Sequence, residues 1–429
     1  MGTAPSVLYA VPDELGLYFR PGRADHKSFL QRLLEEEHRP LSGAVLDPCY
    51  EQTYEDVRRE LRSRRCEVVL DTQALQLATP GGFERPRLQK LLWAGNRMHR
   101  PKHLAGGGGL ELADQVAKHA IEKGYTAVLS PSHFIQGPGD PWFEVDQVNT
   151  ARLRRYLDAV GGEKVLVYYM LAVHSNALRD PEQRREILRE LAALEIDGVF
   201  LRVHPFGQDA GSLALRRYIA ACHDLHQLGA PVVADQVGTA GLPLLAFGAV
   251  GGITAGMTVG DKFDAGRLAR IPKPSDSKPF SAPRVYLESI GAYLSRKQAE
   301  EFFARENRTQ AKFGCKDKRC CKNGVRDMIA DPRRHFFYAR LREVAAISRA
   351  PAASARVDVY MNDILRPAAD RAGRAAQLAD SLGAVHARLV AWRDALRVLE
   401  TSNEPRSQAL APKGKRVRRP RNARRQRRS

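Results

Sequence analysis

Short apolar runs alternate with helical segments along the first part of the chain. From Ala44 to Thr258 each run is rich in Val, Leu and Ile and is followed by a polar or glycine-rich turn and a stretch of helical periodicity. This alternation predicts successive strand–helix units around a parallel sheet. The predicted strands are Ala44–Leu46, Glu67–Leu70, Ala127–Leu129, Val165–Leu171, Val199–Val203, Val232–Ala234 and Ile253–Met257, with an eighth near Val285–Ile290.

The number of units in series favours a closed barrel over an open, doubly wound sheet, although both folds place polar residues at strand ends. We therefore predict an α/β fold, a TIM-like (β/α)8 barrel, over residues 1–295. Lys-, Pro- and Ser-rich sequence after Gly260 marks a change of character. The predicted order continues with a Cys/His zinc knot and helical subdomain over 296–350, a helical extension over 351–410 and a disordered basic tail over 411–429.

Polar side chains follow most of the predicted strands. In a closed parallel barrel the carboxyl ends of all strands meet at one mouth, where active sites are built. The candidate site residues at these positions are Asp71, Gln73, Ser130, His133, His204, Asp235, Gln236 and Asp261.

Four residues at or near strand ends suggest particular chemistry. Asp71, directly after an apolar strand, can act as a general base, bind the edge of a nucleobase or simply cap a turn, and Asp235 occupies the same kind of place. Arg202 and His204 point to the same side if strand alternation holds. An arginine inside a barrel needs an anionic partner, which can be a substrate phosphate, Asp235 or Asp71.

Three of the six cysteines are clustered, at Cys315, Cys320 and Cys321, and His335 follows in the next predicted helix. Three thiolates and an imidazole are a ligand set typical of structural Zn²⁺, so we predict a zinc site here. The alternative is a cluster of free thiols with His335 on a helix face. The clustering is unlike a secreted disulfide framework.

The chain is strongly basic, with a formal net charge of +19, and ten of its cations lie in Lys413–Ser429. This charge favours polyanionic partners, with nucleic acid first. No run of apolar residues is long enough to span a membrane, and the first residues lack a signal-peptide pattern. We therefore expect a cytoplasmic protein without membrane contact.

A barrel followed by a Cys/His knot on a basic chain resembles the tRNA-guanine transglycosylase superfamily, including relatives that insert 7-deazaguanine bases into DNA. Asp71 in Leu-Asp-Thr-Gln stands where the family has the aspartate of Asp-Ser-Gly-Gly-Phe-Gln, and residues 237–253 are similar to the stretch leading to the family's nucleophile strand. Where that strand should supply the nucleophilic aspartate, this chain has Met257, with Asp261 and Asp235 nearby. The cysteine spacing also differs from the family's Cys-x-Cys-x2-Cys.

The resemblance implies exchange of guanine for a 7-deazaguanine derivative in tRNA or DNA through a covalent glycosyl-enzyme. It implies Asp71 as general base or base reader, Asp235 or Asp261 as nucleophile, and a pocket that includes Ser130, His133, His204 and Gln236. The expected partners are nucleic acid and a modified purine base, with a homodimer kept as an option. Two alternatives stay open: a non-catalytic nucleic-acid-binding barrel, and a barrel enzyme acting on a small phosphorylated metabolite through Arg202.

Overall fold

A computed structural model describes residues 14–22, 24–35, 41–257, 262–271 and 283–401. Eight parallel strands close into a barrel in chain order, and the first pairs with the last. They are β1 (Gly16–Arg20), β2 (Leu41–Leu46), β3 (Glu67–Leu70), β4 (Ala127–Leu129), β5 (Leu166–His174), β6 (Gly198–His204), β7 (Val232–Ala234) and β8 (Gly252–Gly256). The predicted barrel fold is confirmed.

Two strand predictions need correction. The barrel begins with β1, which lies before the first predicted strand, Ala44–Leu46, and ends in the charged residue Arg20. The strand predicted near Val285–Ile290 lies outside the barrel. Its residues form β9 (Val285–Leu287), which pairs antiparallel with β10 (Ala292–Leu294) in a hairpin.

Helices surround the barrel and bury one face each against it. The main ones are His26–Glu35, Glu55–Ser63, Gly107–Glu122, Pro141–Ala159, Pro181–Ala192, Ser212–Leu225 and Gly241–Ala246. Short helices at Ala74–Leu77, Pro80–Phe83, Pro101–Leu104, Ser175–Arg179 and Ala265–Ala269 occupy the connections. Several start with an aspartate cap; Asp140, for example, accepts a hydrogen bond from the Trp142 amide at 3.0 Å.

The C-terminal region is helical and packs on the barrel. Its helices are Arg296–Ala304, Asn307–Phe313, Val325–Ala330, Pro332–Ser348, Arg366–Leu378 and Gly383–Thr401, with a π-helical turn at Val359–Leu365. The ring of Phe337 stacks on Phe19 of β1 at 4.8 Å between centroids, and the Trp392 indole donates to the Ala210 carbonyl at 2.8 Å. Within the described ranges, no helix is both long and apolar enough to cross a membrane.

The barrel interior is apolar at mid-height and charged at both ends. Tyr18, Val69, Phe200 and Val233 belong to the apolar layer. At the amino-terminal end Glu67 accepts hydrogen bonds from the hydroxyls of Tyr18 at 3.1 Å and Tyr168 at 2.8 Å. Because side chains alternate along a strand, the residue two positions beyond each apolar one faces the carboxyl-terminal mouth.

Candidate functional site

Two arginines and two aspartates form a closed ion network at the barrel mouth. Arg20 ends β1, Asp71 follows β3, Arg202 lies near the end of β6 and Asp235 follows β7. Each stands two residues beyond an interior apolar residue, which directs all four side chains into the barrel. Arg202, Asp71 and Asp235 are all buried. We call these four residues the mouth network.

Arg20 joins the two acids. Its Nη1 atom lies 2.6 Å from Oδ2 of Asp71, while its Nε and Nη2 atoms bind the two oxygens of Asp235 at 2.7 and 2.8 Å. The second contact is bidentate, the geometry that makes arginine–carboxylate pairs strong. The Arg20 side chain is 12% exposed, so part of its guanidinium reaches the open side of the mouth.

Arg202 has the acidic partners that its interior position requires. Its Nη2 atom lies 2.6 Å from Oδ2 of Asp235 and 3.5 Å from Oδ2 of Asp71. Its Nε atom donates to the same Asp235 oxygen at 2.9 Å. The guanidinium also lies over the Phe263 ring, 5.4 Å from its centroid. The anionic partners that were predicted for Arg202 are therefore carboxylates of the protein itself.

Asp235 is fully engaged by the protein. Besides the two arginines, it accepts a hydrogen bond from the Thr254 hydroxyl at 2.6 Å, and its side chain has no exposed surface. Burial raises the pKa of Asp235, but Arg20 and Arg202 outweigh burial and lower it to about 2. The carboxylate is therefore ionised, while both of its oxygens are already occupied.

Asp71 is ionised but more open. Burial raises its pKa, and the charges of Arg20 and Arg202 outweigh that effect, so the pKa lies below the usual range of an aspartate. One oxygen contacts the arginines, and the other accepts a hydrogen bond from the Gln73 amide at 3.1 Å. The side chain is 8% exposed. Of the two network carboxylates, Asp71 is the one whose side chain keeps some exposed surface.

A third carboxyl, Asp47, titrates differently. It follows β2 and is next in register to Asp71, because Leu46 pairs with Leu70. Burial raises the pKa of Asp47 to about 6, although the side chain accepts a hydrogen bond from the Cys49 amide at 2.9 Å. Two neighbouring carboxyls with pKa values driven apart are the arrangement used for paired acid–base and nucleophilic roles.

Replacing Asp47 by Asn is expected to stabilise the protein at neutral pH. Because the folded-state pKa is raised, ionising Asp47 costs folding free energy as pH rises from about 4 to about 6, up to about 3 kcal/mol for a shift of this size. Asparagine keeps the helix-capping acceptor and carries no such penalty. Urea unfolding at about pH 7.5 should show the gain, and at about pH 4 the two proteins should match. An equal difference at both pH values would contradict the raised pKa.

The two predicted glutamines border the network through their backbones. Gln73 and Gln236 follow Asp71 and Asp235 in the sequence. Their φ values are 56° and 57°, in the left-handed region that residues other than glycine rarely adopt. The Gln236 amide donates to the Thr254 hydroxyl at 2.9 Å. Such strained residues cluster at functional sites, which agrees with a role for this rim.

The mouth is partly covered by the segment 262–271. Phe263 packs with Leu75 and Ala172 above Arg202. The Ala265 amide donates to Nδ1 of His204 at 3.2 Å, so this predicted residue holds the covering segment. Its side chain is 21% exposed.

Ser130 and His133 are buried in a neighbouring cluster. The Ser130 hydroxyl lies 2.6 Å from that of Ser132. His133 pairs with Asp146 at 2.6 Å and stacks on Trp142 with 3.6 Å between ring centroids. This pair fastens helix Pro141–Ala159 to the barrel. Asp261, the other predicted nucleophile, lies outside the described residues, as does the basic tail.

Sequence reasoning missed Arg20, Thr254 and the special character of Asp47. Arg20 was hidden because its strand was not recognised, although an arginine at the end of an apolar run and before Pro21 was the available signal. Asp47 was visible at a strand end, but its pKa depends on burial, which the sequence does not state.

The predicted metal ligands come together. The Sγ atoms of Cys315 and Cys320 are 3.2 Å apart, and that of Cys321 lies 3.6 Å from the Cys320 sulfur and 3.6 Å from Nδ1 of His335. All four ligand atoms lie within 4.8 Å of one another. The turn is possible with adjacent cysteines because Gly324, at φ 61°, reverses the chain.

Surrounding contacts fit this cluster to a metal ion. Nε2 of His335 lies 2.8 Å from the Tyr286 carbonyl, a hydrogen bond that places the ring proton on Nε2 and leaves Nδ1 free to ligate. Arg342 lies 3.5 Å from the Cys320 sulfur and also binds Asp317 at 2.8 Å. The positive charge of Arg342 offsets the negative charge of the cysteine thiolates in the cluster. The four residues can hold a metal.

Comparisons with known proteins give no family. No family model and no curated protein matches the chain. Among solved structures, xylanase B from Clostridium stercorarium F9 is 14% identical with a TM-score of 0.37, covering 58% of this chain and 88% of that chain. An HpcH/HpaI aldolase/citrate lyase family protein from Burkholderia cenocepacia J2315 is 13% identical with a TM-score of 0.32, covering 58% and 90%.

The GH26 β-mannanase from Bacteroides ovatus is a third, at 12% identity and a TM-score of 0.35, covering 61% of this chain and 85% of that chain. None of these three is a guanine transglycosylase, and at such identities and TM-scores the likenesses carry no argument about activity. The strand pairing of the chain itself establishes a closed parallel barrel, and Asp71 and Asp47 at its mouth have pKa values shifted in opposite directions.

Proposed function

We propose that the barrel mouth is the active site of a base-exchange enzyme, which replaces guanine in tRNA or DNA by a 7-deazaguanine derivative. The observation that carries the proposal is the pair Asp71 and Asp47, neighbours in register whose pKa values are driven in opposite directions. Double-displacement glycosyl chemistry needs one ionised carboxylate as nucleophile and one carboxyl near neutrality as acid and then base. The resemblance to guanine transglycosylases names the substrate class.

Asp71 acts as the nucleophile in this proposal. Its oxygen attacks C1′ of the target nucleoside, the C1′–N9 bond breaks with its electron pair going to guanine, and Asp47 supplies the proton to the departing base. The incoming deazapurine then gives its proton to Asp47 and attacks C1′, which releases Asp71 as a carboxylate. This role differs from the general base or base reader that the resemblance implied, and the lowered pKa of Asp71 favours the ionised form that a nucleophile needs.

Asp235 serves as an anchor in this scheme. Both of its oxygens are bound by Arg20, Arg202 or Thr254, so it fixes the two guanidiniums that hold Asp71 ionised. A nucleophile needs a free lone pair and a path to the substrate, and Asp235 has no exposed side-chain surface. The same burial removes support from the phosphorylated-metabolite alternative, because its phosphate ligand, Arg202, is held by Asp235.

The direct test is exchange of labelled guanine into substrate. Wild-type protein should incorporate labelled guanine into bulk tRNA or into guanine-containing DNA, and not into free guanosine. Incorporation into neither polymer, with the protein shown to be folded and to bind it, would overturn the proposal.

The non-catalytic alternative has one observation in its favour. The two arginines and two aspartates of the mouth network neutralise one another, and Phe263 covers part of it. A barrel used only as a scaffold can carry such a network for structural reasons. It predicts nucleic-acid binding without exchange, which the same assay reports.

We further propose that the Cys/His cluster holds structural Zn²⁺. Its three sulfurs and one nitrogen form a closed ligand set, which leaves no position for a substrate. The ion would tie the turn at 315–324 to helix Pro332–Ser348 and take no part in the exchange.

Metal analysis of a single substitution tests the zinc site. Cys321→Ser is expected to reduce bound zinc from about one ion per chain to a small fraction, because a structural site needs all four ligands. Its thermal unfolding should also shift to lower temperature. Cys66→Ser, a half-buried cysteine outside the cluster, is the matched control. Equal zinc content in the two variants would contradict the ligand role of Cys321.

A further inference from the structure

Six exposed cations lie in the connection between β3 and β4. The stretch from residue 84 to 110 contains one acid, Glu84, and the following lysines and arginines: Arg85, Arg87, Lys90, Arg97, Arg100 and Lys102. All six side chains belong to exposed residues. We call this set the β3–β4 basic surface.

Some exposed arginines elsewhere on the barrel are paired with acids of their own helix, as Arg185 is with Glu182 and Arg189 with Glu190 at 3.0 Å. Among residues that the structure describes, no carboxylate lies within ion-pair distance of any of the six. Like charges that have no nearby carboxylate repel one another, so the binding of an anion to this surface is energetically favourable.

The basic surface is fastened beside the mouth. The Trp93 indole donates to the carbonyl of Thr72, the residue after Asp71, at 2.8 Å. The His99 amide donates to the Leu77 carbonyl at 3.0 Å. Arg87 lies over the Tyr50 ring, 4.9 Å from its centroid, in the turn that begins at Asp47. The stretch that carries the cations is therefore attached to the segments that directly follow Asp71 and Asp47.

A cavity of about 330 Å³ adjoins the surface. It is lined by one of the six cations, Arg97, together with His99, His103 and Glu111 among others. Proteins that bind single-stranded nucleic acid use clustered cations to follow its phosphate backbone.

We propose that the β3–β4 basic surface binds the phosphate backbone of the nucleic-acid strand whose base enters the mouth. This inference rests on the proposed function and adds where the substrate strand runs. An acidic membrane is the competing partner for such charge, but membrane contact also needs exposed apolar side chains. Within the stretch 84–110 two large apolar residues, Leu92 and Leu110, have exposed side chains, against six exposed cations.

The test compares two triple variants of the full chain. Arg97→Gln, Arg100→Gln and Lys102→Gln remove three cations from the surface. Arg189→Gln, Arg296→Gln and Lys297→Gln remove three exposed cations elsewhere, so the loss of net charge is the same. The basic tail is present in both, and unfolding temperatures show that both are folded.

Binding is measured by anisotropy of a fluorescein-labelled single-stranded DNA and of the matching RNA, from about 50 to about 200 mM salt. The surface variant is expected to bind about 10-fold to 100-fold more weakly, and its log–log salt slope should fall by about 2, or about 0.7 for each lost phosphate contact. The control variant should stay within about threefold of wild type. Vesicles of phosphatidylserine and phosphatidylcholine form a third arm.

Binding by the surface variant that equals binding by the control would overturn the inference. Loss of vesicle binding with unchanged oligonucleotide binding would also overturn it, in favour of a membrane surface. This binding measurement does not depend on catalytic turnover. If the surface variant loses binding as expected while wild-type protein shows no guanine exchange, the surface assignment stands and the proposed base exchange fails.

Discussion

Asp71→Asn is expected to abolish base exchange, with a loss of about 10³-fold to 10⁶-fold in turnover. Removing the nucleophile of a double displacement removes the covalent route itself, and losses in this range are typical of such substitutions. An amide of nearly the same shape can still accept from the Gln73 amide, so the rim should keep its conformation. The readout is the initial rate of labelled-guanine incorporation at saturating nucleic acid.

Two measurements separate chemistry from folding in this variant. Oligonucleotide affinity should stay within a few-fold of wild type, because the β3–β4 basic surface is untouched. Asp394→Asn, an exposed aspartate on the C-terminal helix, is the matched control and should exchange guanine at the wild-type rate. Exchange by Asp71→Asn at the rate of this control would remove Asp71 from the mechanism.

Asp235→Asn is expected to cost about 3–5 kcal/mol of unfolding free energy. The substitution leaves the buried Arg202 and most of Arg20 facing a neutral amide, and an uncompensated buried charge is far more costly than a lost surface pair. The exposed pair between Asp394 and Arg393 should contribute less than about 1 kcal/mol, so Asp394→Asn again provides the comparison. Urea unfolding measures both.

The pH dependence of that loss identifies its source. The folded-state pKa of Asp235 is lowered to about 2, so its contribution is complete above about pH 4 and is lost as pH falls from about 4 towards about 2. The difference between wild type and Asp235→Asn should therefore shrink in this window. A difference that does not change with acidification would mean that the ionised carboxylate is not what stabilises the network.

The barrel could be predicted because apolar runs and helical stripes repeat in the sequence. Strands such as Val232–Ala234 are buried on both faces, and continuous apolar runs signal such strands without any knowledge of tertiary structure. The first strand escaped because it ends in a charged residue and precedes the region in which strand–helix alternation is visible. The strand Val285–Leu287 was mistaken for a barrel strand because its residues are equally apolar. Its partner is an antiparallel strand a few residues further along the chain.

The membership of the candidate site was predictable in part, and the roles of its residues were not. Strand ends gave Asp71, Arg202 and Asp235, and residue types gave the four residues of the Cys/His cluster. Which carboxylate is saturated and which is open depends on contacts such as that of Thr254 with Asp235, which join residues distant in sequence. The same holds for the raised pKa of Asp47, which burial produces.

The central claim is that Asp71 becomes covalently bonded to C1′ of the substrate nucleoside. Denaturing wild-type protein during turnover on guanine-containing nucleic acid, then digesting it and sequencing the peptides by mass spectrometry, tests this most directly. We predict a pentosyl adduct on the peptide that contains Asp71, absent from Asp71→Asn and present in Asp394→Asn. An adduct on Asp235 or on any other residue, or active exchange that leaves no adduct on Asp71, would contradict the claim.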